Sequence, residues 1–242
     1  MWIKICGVTR AEDVATVIHS GADAIGFNFF RDSKRFVSIP TARALAETAR
    51  RLAVDIPPVD LVGVFVNAEA NAIRTAVQDV GLNVIQVHGD ETAEHVAGIH
   101  RLCPDIPLIR AFRADPKNTD RTMNDIDRLS ALVPLAAILL DAFVPGEFGG
   151  TGTTVDLSIL ECCTTQQRPP LILAGGLTPQ NVAFIADRST VWGIDTASGV
   201  ESSPGIKDST RVYEFVNAAR AATSDSSRLI HNVRIGKPSS II

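Results

Sequence analysis

The sequence predicts a single (β/α)8 TIM barrel, on three observations. Eight short apolar runs recur along the 242 residues, and segments with helical spacing of apolar residues separate them. Most of the runs are apolar at successive positions, which is typical of parallel strands buried on both faces. The length is close to the roughly 250 residues of a typical barrel of this kind. A doubly wound open sheet is the alternative fold.

The eight apolar runs are the predicted strands. They cover residues 3–6, 24–27, 61–65, 84–87, 108–112, 136–141, 171–174 and 191–195. Regular alternation with helices favours a parallel sheet, because two parallel strands need a long crossover between them, and this crossover is usually a helix.

Helical patterns fill the intervals between the runs. Residues 40–53 place apolar side chains at helical spacing from Pro40 onward, and proline suits a first helical turn. Residues 207–221 carry a similar apolar stripe, and Thr178-Pro179 predicts the start of a helix over 178–187. The other predicted helices cover residues 9–20, 69–79, 91–102, 119–132 and a segment near 154–163.

The sequence divides into a barrel and a C-terminal extension. We assign residues 1–222 to the barrel and residues 223–242 to the extension. The extension is rich in serine and other polar residues, which predicts a flexible tail. Its apolar residues allow the alternative that it covers one face of the barrel; they are Leu229, Ile230, Val233 and Ile235.

Composition excludes several classes of function. The chain has 23 Lys and Arg against 27 Asp and Glu, so no basic field favours nucleic acid or an anionic membrane. No apolar run is long enough to span a bilayer, and the first residues lack a signal-peptide pattern, so we expect a cytoplasmic protein. The cysteines lack the spacing of zinc or redox motifs, so we expect reduced thiols and no metal site. They are Cys6, Cys103, Cys162 and Cys163.

Glycine-rich turns follow the last two predicted strands. In a (β/α)8 barrel the active site lies at the carboxyl ends of the strands, and the loops after strands seven and eight commonly bind phosphate. Glycine lets a backbone N–H approach an anion closely. The predicted phosphate ligands are Gly175, Gly176, Ser198 and Gly199, with Gly149, Gly150 and Gly152 as further candidates. The alternative is that these glycines only form tight turns.

Two residues with acid–base side chains end predicted strands on the same rim. Cys6 ends the first strand and Asp141 ends the sixth. A thiolate can act as a base when its pKa is lowered, and a carboxyl can act as an acid when burial raises its pKa. The pattern alone leaves open that Cys6 is a core cysteine and that Asp141 caps a turn.

Seven motifs in order resemble the phosphoribosylanthranilate isomerase family. They extend from residue 3 to residue 220 and read "KICGVTR", "GFNFF" leading to "SKR", "VGVFVN", "QVHGDE", "LLDAFVPGEFGGTG", "LAGGLTPQNV" and "DTASGVESSPGIKD". The set is highly specific, although other phosphate-binding barrels share the Ala-Gly-Gly turn. The family includes free-standing and multifunctional enzymes of tryptophan biosynthesis.

The resemblance implies an Amadori rearrangement of N-(5-phosphoribosyl)anthranilate to 1-(2-carboxyphenylamino)-1-deoxyribulose 5-phosphate, without a metal or organic cofactor. It implies that Cys6 is the general base and Asp141 the general acid. Arg35 matches an arginine whose planar fork suits the carboxylate of the substrate. Asp195 matches a residue that assists the site. The substrate is a phosphorylated small molecule, and association with other tryptophan-pathway enzymes is a further expectation.

The chain departs from the family pattern after the second strand. Ser33-Lys34-Arg35 stands where Ser-Pro-Arg is common, which changes the loop but keeps the arginine. Two further candidates on the rim are His88 and Arg113. His88 would contact the substrate or stabilise its loop, with the loop role favoured. Arg113 would help to neutralise substrate anions or form a surface ion pair, with the ion pair favoured. The alternative function is a non-catalytic or differently specific sugar-phosphate-binding barrel. The related isomerase of histidine biosynthesis is disfavoured because it would carry aspartate in place of Cys6.

Overall fold

A computed structural model describes residues 1–54, 57–113, 118–141, 168–188, 190–224 and 235. Eight parallel strands hydrogen-bond in sequence order and close into a barrel, which confirms the predicted fold. The strands are β1 (Trp2–Cys6), β2 (Ala24–Asn28), β3 (Asp60–Phe65), β4 (Val84–Val87), β5 (Leu108–Arg113), β6 (Ala137–Asp141), β7 (Leu171–Ala174) and β8 (Gly193–Thr196). The first and last strands close the barrel, with Lys4 in register with Asp195.

Seven helices lie among the described residues. They are α1 (Ala11–Ser20), α2 (Ile39–Leu52), α3 (Ala70–Val80), α4 (Ala93–Leu102), α5 (Thr119–Ser130), α6 (Val182–Ala186) and α7 (Ser209–Ser224). A short antiparallel pair, β9 (Glu201–Ser203) and β10 (Ile206–Lys207), follows β8. Local capping explains the start of α2, because the Ser38 hydroxyl accepts a hydrogen bond from the Thr41 N–H.

Strand alternation sorts side chains between the two apolar regions of the fold. On β1, Ile3 and Ile5 pack in the cluster between strands and helices, whereas Trp2 and Cys6 join the cluster inside the barrel. Lys4 lies between Trp2 and Cys6 in this alternation and is fully buried. From its amino end to its carboxyl end, the inner face of β1 therefore carries the indole of Trp2, the ammonium of Lys4 and the thiol of Cys6.

The helix predicted over residues 178–187 is shorter than expected. It begins at Val182, and residues 178–181 form a turn in which the Thr178 carbonyl accepts hydrogen bonds from the N–H groups of Asn181 and Val182. The predicted boundary at residue 178 was therefore wrong. The predicted helix near 154–163 lies outside the described residues.

One residue of the C-terminal extension is described. Ile235 is 7 % exposed and belongs to the apolar cluster inside the barrel, with Trp2, Val62 and Ile109. Its burial agrees with the alternative that apolar residues of this segment cover part of the barrel. The division of the chain at residue 222 stays a prediction.

The described residues contain neither a membrane-spanning helix nor a metal-binding cluster. In this part of the chain no helix has both the length and the apolar character needed to cross a membrane. Within the same residues, no cluster of three or more His, Cys, Asp or Glu side chains has the arrangement of a metal site.

Candidate active site

Cys6 ends β1 with its thiol on the inner face of the barrel. The side chain is partly buried and the thiol is free. Gly26 on the neighbouring strand makes room for it, because a Cβ built at that position would lie 2.9 Å from the sulfur. A cysteine here therefore faces the space at the carboxyl end of the barrel, the position that the sequence predicted.

Lys4 lies one inward position below Cys6 and forms a buried ion pair. Its Nζ is 2.6 Å from Oδ2 of Asp195 on β8, and Lys4 is 0 % exposed. Among the described residues, neither the second carboxylate oxygen of Asp195 nor Oε1 of Gln86 on β4 has a hydrogen-bond partner, although both atoms are buried. Two acceptors thus stand unused near the site, which is the arrangement expected where ligand hydroxyl groups bind.

Burial and charge oppose each other at Cys6. Burial raises the pKa of the thiol above its ordinary value, and the ammonium groups of Lys4 and Lys207 offset only part of that rise. Burial likewise raises the pKa of Asp195, although Lys4 opposes the effect. Burial alone would lower the pKa of Lys4, but the Asp195 carboxylate and the Cys6 thiol outweigh it, so the pKa of Lys4 is raised. The three groups form one coupled set.

Asp141 ends β6 and lies beside His88, which follows β4. Oδ2 of Asp141 is 3.4 Å from Nε2 of His88, and the other ring nitrogen is 3.3 Å from Nε2 of Gln86. Donation from the Gln86 amide to Nδ1 leaves the Nε2 proton to face Asp141. His88 therefore lies against the predicted acid rather than only bracing its loop, a contact that sequence reasoning missed.

Arg35 lies beside Cys6 but is engaged with a second residue that the sequence did not single out. Its Nε and Nη2 donate to the Glu201 carboxylate at 2.8 and 2.7 Å. Glu201 also pairs with Lys207 at 2.8 Å. Lys207 donates to the carbonyl oxygens of Cys6 and Ala197. This network joins the end of β1, the loop after β2 and the segment after β8.

Gly7 explains how Arg35 approaches the end of β1. Gly7 has φ +73°, and a Cβ built there would overlap the stem of Arg35. The glycine that follows the cysteine is thus required by both backbone conformation and close packing. The bidentate pair uses Nε and one N–H of Nη2, so both N–H groups of Nη1 and the second N–H of Nη2 remain for a ligand carboxylate.

The predicted phosphate loops lie side by side, since β7 and β8 are hydrogen-bonded neighbours. Gly175 and Gly176 have φ +91° and +64° after β7, and Ser198 and Gly199 begin a short 3-10 turn after β8. The Thr196 hydroxyl donates to the Leu177 carbonyl at 2.7 Å, which ties the two loops together.

Gly176 and Gly199 differ in how much room a side chain would have at each position. A Cβ built at Gly176 would meet nothing within 4 Å, whereas one at Gly199 would overlap the Leu177 carbonyl oxygen. Gly176 therefore borders open space, and Gly199 allows the loops to pack closely. The further candidates Gly149, Gly150 and Gly152 lie outside the described residues.

Arg113 takes part in the exposed ion pair that the sequence indicated. Its Nη1 is 3.4 Å from Oδ1 of Asp90, and both side chains are largely exposed. The two residues border a cavity of about 410 Å³ that also includes His88. An exposed pair of this kind contributes little to stability.

Comparison with known proteins agrees with this geometry. Residues 3–218 match the family described as N-(5'-phosphoribosyl)anthranilate (PRA) isomerase. N-(5'-phosphoribosyl)anthranilate isomerase of Chlorobaculum parvum is 41 % identical over 222 residues, covering 90 % of this chain and 94 % of the relative. The enzyme of that name from Pseudomonas aeruginosa strain LESB58 is 40 % identical over 224 residues, covering 92 % and 97 %.

Solved structures give the same result. Phosphoribosyl anthranilate isomerase from Thermotoga maritima has a TM-score of 0.75 and 36 % identity, covering 91 % of this chain and 99 % of the other. A second structure, TM-score 0.72 and 33 % identity with the same coverage, is a phosphoribosyl anthranilate isomerase in complex with reduced 1-(o-carboxyphenylamino)-1-deoxyribulose 5-phosphate. With its barrel, its strand-end residues and these matches, the chain belongs to the N-(5'-phosphoribosyl)anthranilate isomerase family.

Proposed function

We propose that Cys6 is the general base and Asp141 the general acid in the isomerisation of phosphoribosylanthranilate, the reaction of tryptophan biosynthesis that this enzyme catalyses. The observation that carries the proposal is their common position. Each is the last residue of its strand at the carboxyl end of the barrel. Asp195 interacts electrostatically with both of them.

The acid acts first in the proposed mechanism. Asp141 in its protonated form gives a proton to the furanose ring oxygen as the C1–O bond breaks, and the substrate nitrogen supplies the electron pair that forms the iminium. His88 contacts the same carboxyl group and orients it. A positioned acid of this kind contributes about 10²–10⁴-fold to the rate.

The base acts second. The iminium acidifies the C2–H bond, and the Cys6 thiolate removes that proton to give an enolamine. The enolamine then takes a proton at C1 and loses its hydroxyl proton, which leaves the ketone. The substrate's own nitrogen is the electron sink throughout, so this sequence of steps draws on no other group.

Binding of the substrate anions completes the proposal. The loops with Gly175, Gly176, Ser198 and Gly199 hold the phosphate, and the open space at Gly176 supports this. Arg35 binds the anthranilate carboxylate through the N–H groups that Glu201 leaves unused. Asp195 accepts a hydrogen bond from a substrate hydroxyl at its unpartnered oxygen.

A cytoplasmic location is also part of the proposal. A catalytic thiol must stay reduced, which favours a reducing compartment, and Cys6 and Cys103 are free among the described cysteines. Association with other enzymes of tryptophan biosynthesis would fit the same location. Crosslinking in cells that express the tagged chain at native level would test both.

The deciding experiment follows substrate fluorescence with phosphoribosylanthranilate made in situ. Wild type, Cys6→Ala and Asp141→Asn are compared at equal concentration, and circular dichroism checks that each is folded. We expect turnover in wild type and a loss of at least about 10²-fold in each variant. Cys103→Ala is the matched control, because it removes a buried thiol on α4's C-terminal side without changing the rim. Wild-type rates in a folded Cys6→Ala variant would refute the assigned base.

A further inference from the structure

Lys4 is an unusual residue for the interior of a barrel strand. It is 0 % exposed and shares the inner face of β1 with Trp2 and Cys6. A buried ammonium costs several kcal/mol unless it is paired and hydrogen-bonded. A buried charge of this kind needs a partner, and it often has a functional role. The mechanism proposed above assigns no role to Lys4.

Asp195 fixes the position of this ammonium. The two residues face each other in the register that closes the barrel, and Nζ lies 2.6 Å from Oδ2. Lysine has three N–H donors, so the ion pair leaves others available. Lys4 and Cys6 occupy successive inward positions of β1, so their side chains are neighbours on that face and the charge of the ammonium favours the thiolate. Asp195 thus holds a cation directly beneath the sulfur.

We propose that Lys4 is a positioning residue for the isomerisation: its ammonium, anchored by Asp195 at the inward position next to Cys6, stabilises the thiolate of Cys6 and so offsets part of the cost of burying that charge.

The other charges near Cys6 are less able to do this. Lys207 and Arg35 both interact with the thiol, but Lys207 lies on β10 and Arg35 in the loop after β2. Lys4 lies on β1 itself, at the inward position next to Cys6. Asp195 disfavours the thiolate, and Asp141 and His88 act on Asp195 rather than directly on the sulfur. Among the opposing influences on the pKa of Cys6, which burial raises, Lys4 is the largest.

The test measures the thiol itself, because the inference rests on the proposed function of Cys6 and must be separable from it. In a Cys103→Ala, Cys162→Ala, Cys163→Ala background, the rate of Cys6 alkylation by iodoacetamide is followed from pH 5 to pH 10 by mass spectrometry. The midpoint of this profile reports thiolate formation whether or not the enzyme is active.

Two variants should shift this midpoint in opposite directions. Lys4→Met keeps the side-chain stem and removes the charge, so alkylation at pH 7 should slow about tenfold or more, as a rise of one pKa unit requires. Asp195→Asn removes the anion and should shift the midpoint to lower pH. A purely structural disturbance would shift both variants in one direction, and that result, or an unchanged midpoint in both, would overturn the proposal.

Arg220→Gln is the matched control. Arg220 bonds to the Met1 carbonyl and to Asp23 near the start of β1, so the variant removes an ion pair beside the same strand, at the opposite end from the thiol. Its alkylation midpoint should equal that of the parent. If Lys4→Met does not fold, Lys4→Gln replaces it, and a midpoint for Lys4→Gln equal to that of the parent would overturn the proposal.

Steady-state kinetics provides the second readout. In Lys4→Met the rising limb of kcat/KM against pH should move to higher pH, while KM on the plateau stays within about twofold of the parent. An unshifted limb would count against the role of Lys4. Full activity of Cys6→Ala would instead refute the proposed base while leaving the alkylation profiles to report on Lys4.

Discussion

Arg35 and Glu201 form a bidentate ion pair, with Nε and Nη2 donating at 2.8 and 2.7 Å across 166 residues of sequence. The pair clamps the loop after β2 onto the segment after β8, directly above Gly7. It holds a planar guanidinium rigidly at the rim, which is the geometry that suits a carboxylate ligand. The clamp also survives the loss of proline from the Ser33-Lys34-Arg35 loop.

Replacing Arg35 should therefore weaken substrate binding. We expect Arg35→Met to raise KM for phosphoribosylanthranilate about 10–100-fold, because a hydrogen bond to a charged group contributes about 1.5–3 kcal/mol. The fluorescence assay measures KM. Arg31→Met is the control, since Arg31 is an exposed arginine of the same loop that lies 6.0 Å from the Phe36 ring. Equal KM values for Arg35→Met and Arg31→Met would contradict the assignment.

Glu201 should make stability depend on acid pH. Burial opposes its charged form, but hydrogen bonds from Arg35 and Lys207 outweigh burial and lower the pKa below its ordinary value of 4.5. A depressed pKa stabilises the fold above about pH 4.5, and this contribution disappears as pH falls through the folded-state pKa. Thermal unfolding of wild type and Glu201→Gln from pH 3 to pH 8 measures it.

The two proteins should differ most at neutral pH. We expect Tm of Glu201→Gln to be lower there by at least about 2–4 °C, the change that 1 kcal/mol produces in a chain of this size. The two curves should converge at the acid end. A constant difference across the whole range would mean that Glu201 acts through packing rather than through its charge.

The two loop glycines should respond differently to alanine. Gly199→Ala places a Cβ against the Leu177 carbonyl oxygen, so the loops after β7 and β8 must separate. Gly176→Ala enters open space and costs only the left-handed backbone conformation, about 1–2 kcal/mol. We expect the larger loss of Tm and the larger rise in KM in Gly199→Ala. The reverse order would show that the loops do not pack as described.

Ile235 should contribute to the stability of the barrel. It is buried in the inner cluster, so Ile235→Ala should cost about 2–5 kcal/mol of unfolding free energy. Urea denaturation measures the loss. Ile206→Ala on β10 is the comparison, because Ile206 is 37 % exposed and should cost much less. A change at Ile235 no larger than that at Ile206 would mean that the extension adds nothing to the core.

The sequence was sufficient to predict the barrel because most of the strands are apolar on both faces and segments with helical spacing separate them. It also placed Cys6 and Asp141 at strand ends, since position along a strand decides which rim a residue joins. It did not predict the burial of Lys4. A lysine within a short apolar run gives no sign of facing inward until the alternation of β1 and its partner on β8 are known.

The sequence also did not predict the contacts between segments that are far apart in the chain. Glu201 and Lys207 lie in the motif that carries the resemblance, yet only the folded chain brings them to Arg35 and to the Cys6 carbonyl. The start predicted for α6 was wrong because residues 178–181 form a turn, closed by hydrogen bonds from the Asn181 and Val182 N–H groups to the Thr178 carbonyl.

Ile235 has a practical consequence for how this chain can be handled. The match to the family ends at residue 218, but a side chain 17 residues later fills part of the barrel interior. The segment that matches the family therefore ends before the segment that contributes to the hydrophobic core. A truncation at residue 218 would keep all the proposed site residues but would remove Ile235 from the core inside the barrel. A fusion joined at residue 218 in place of the extension would do the same.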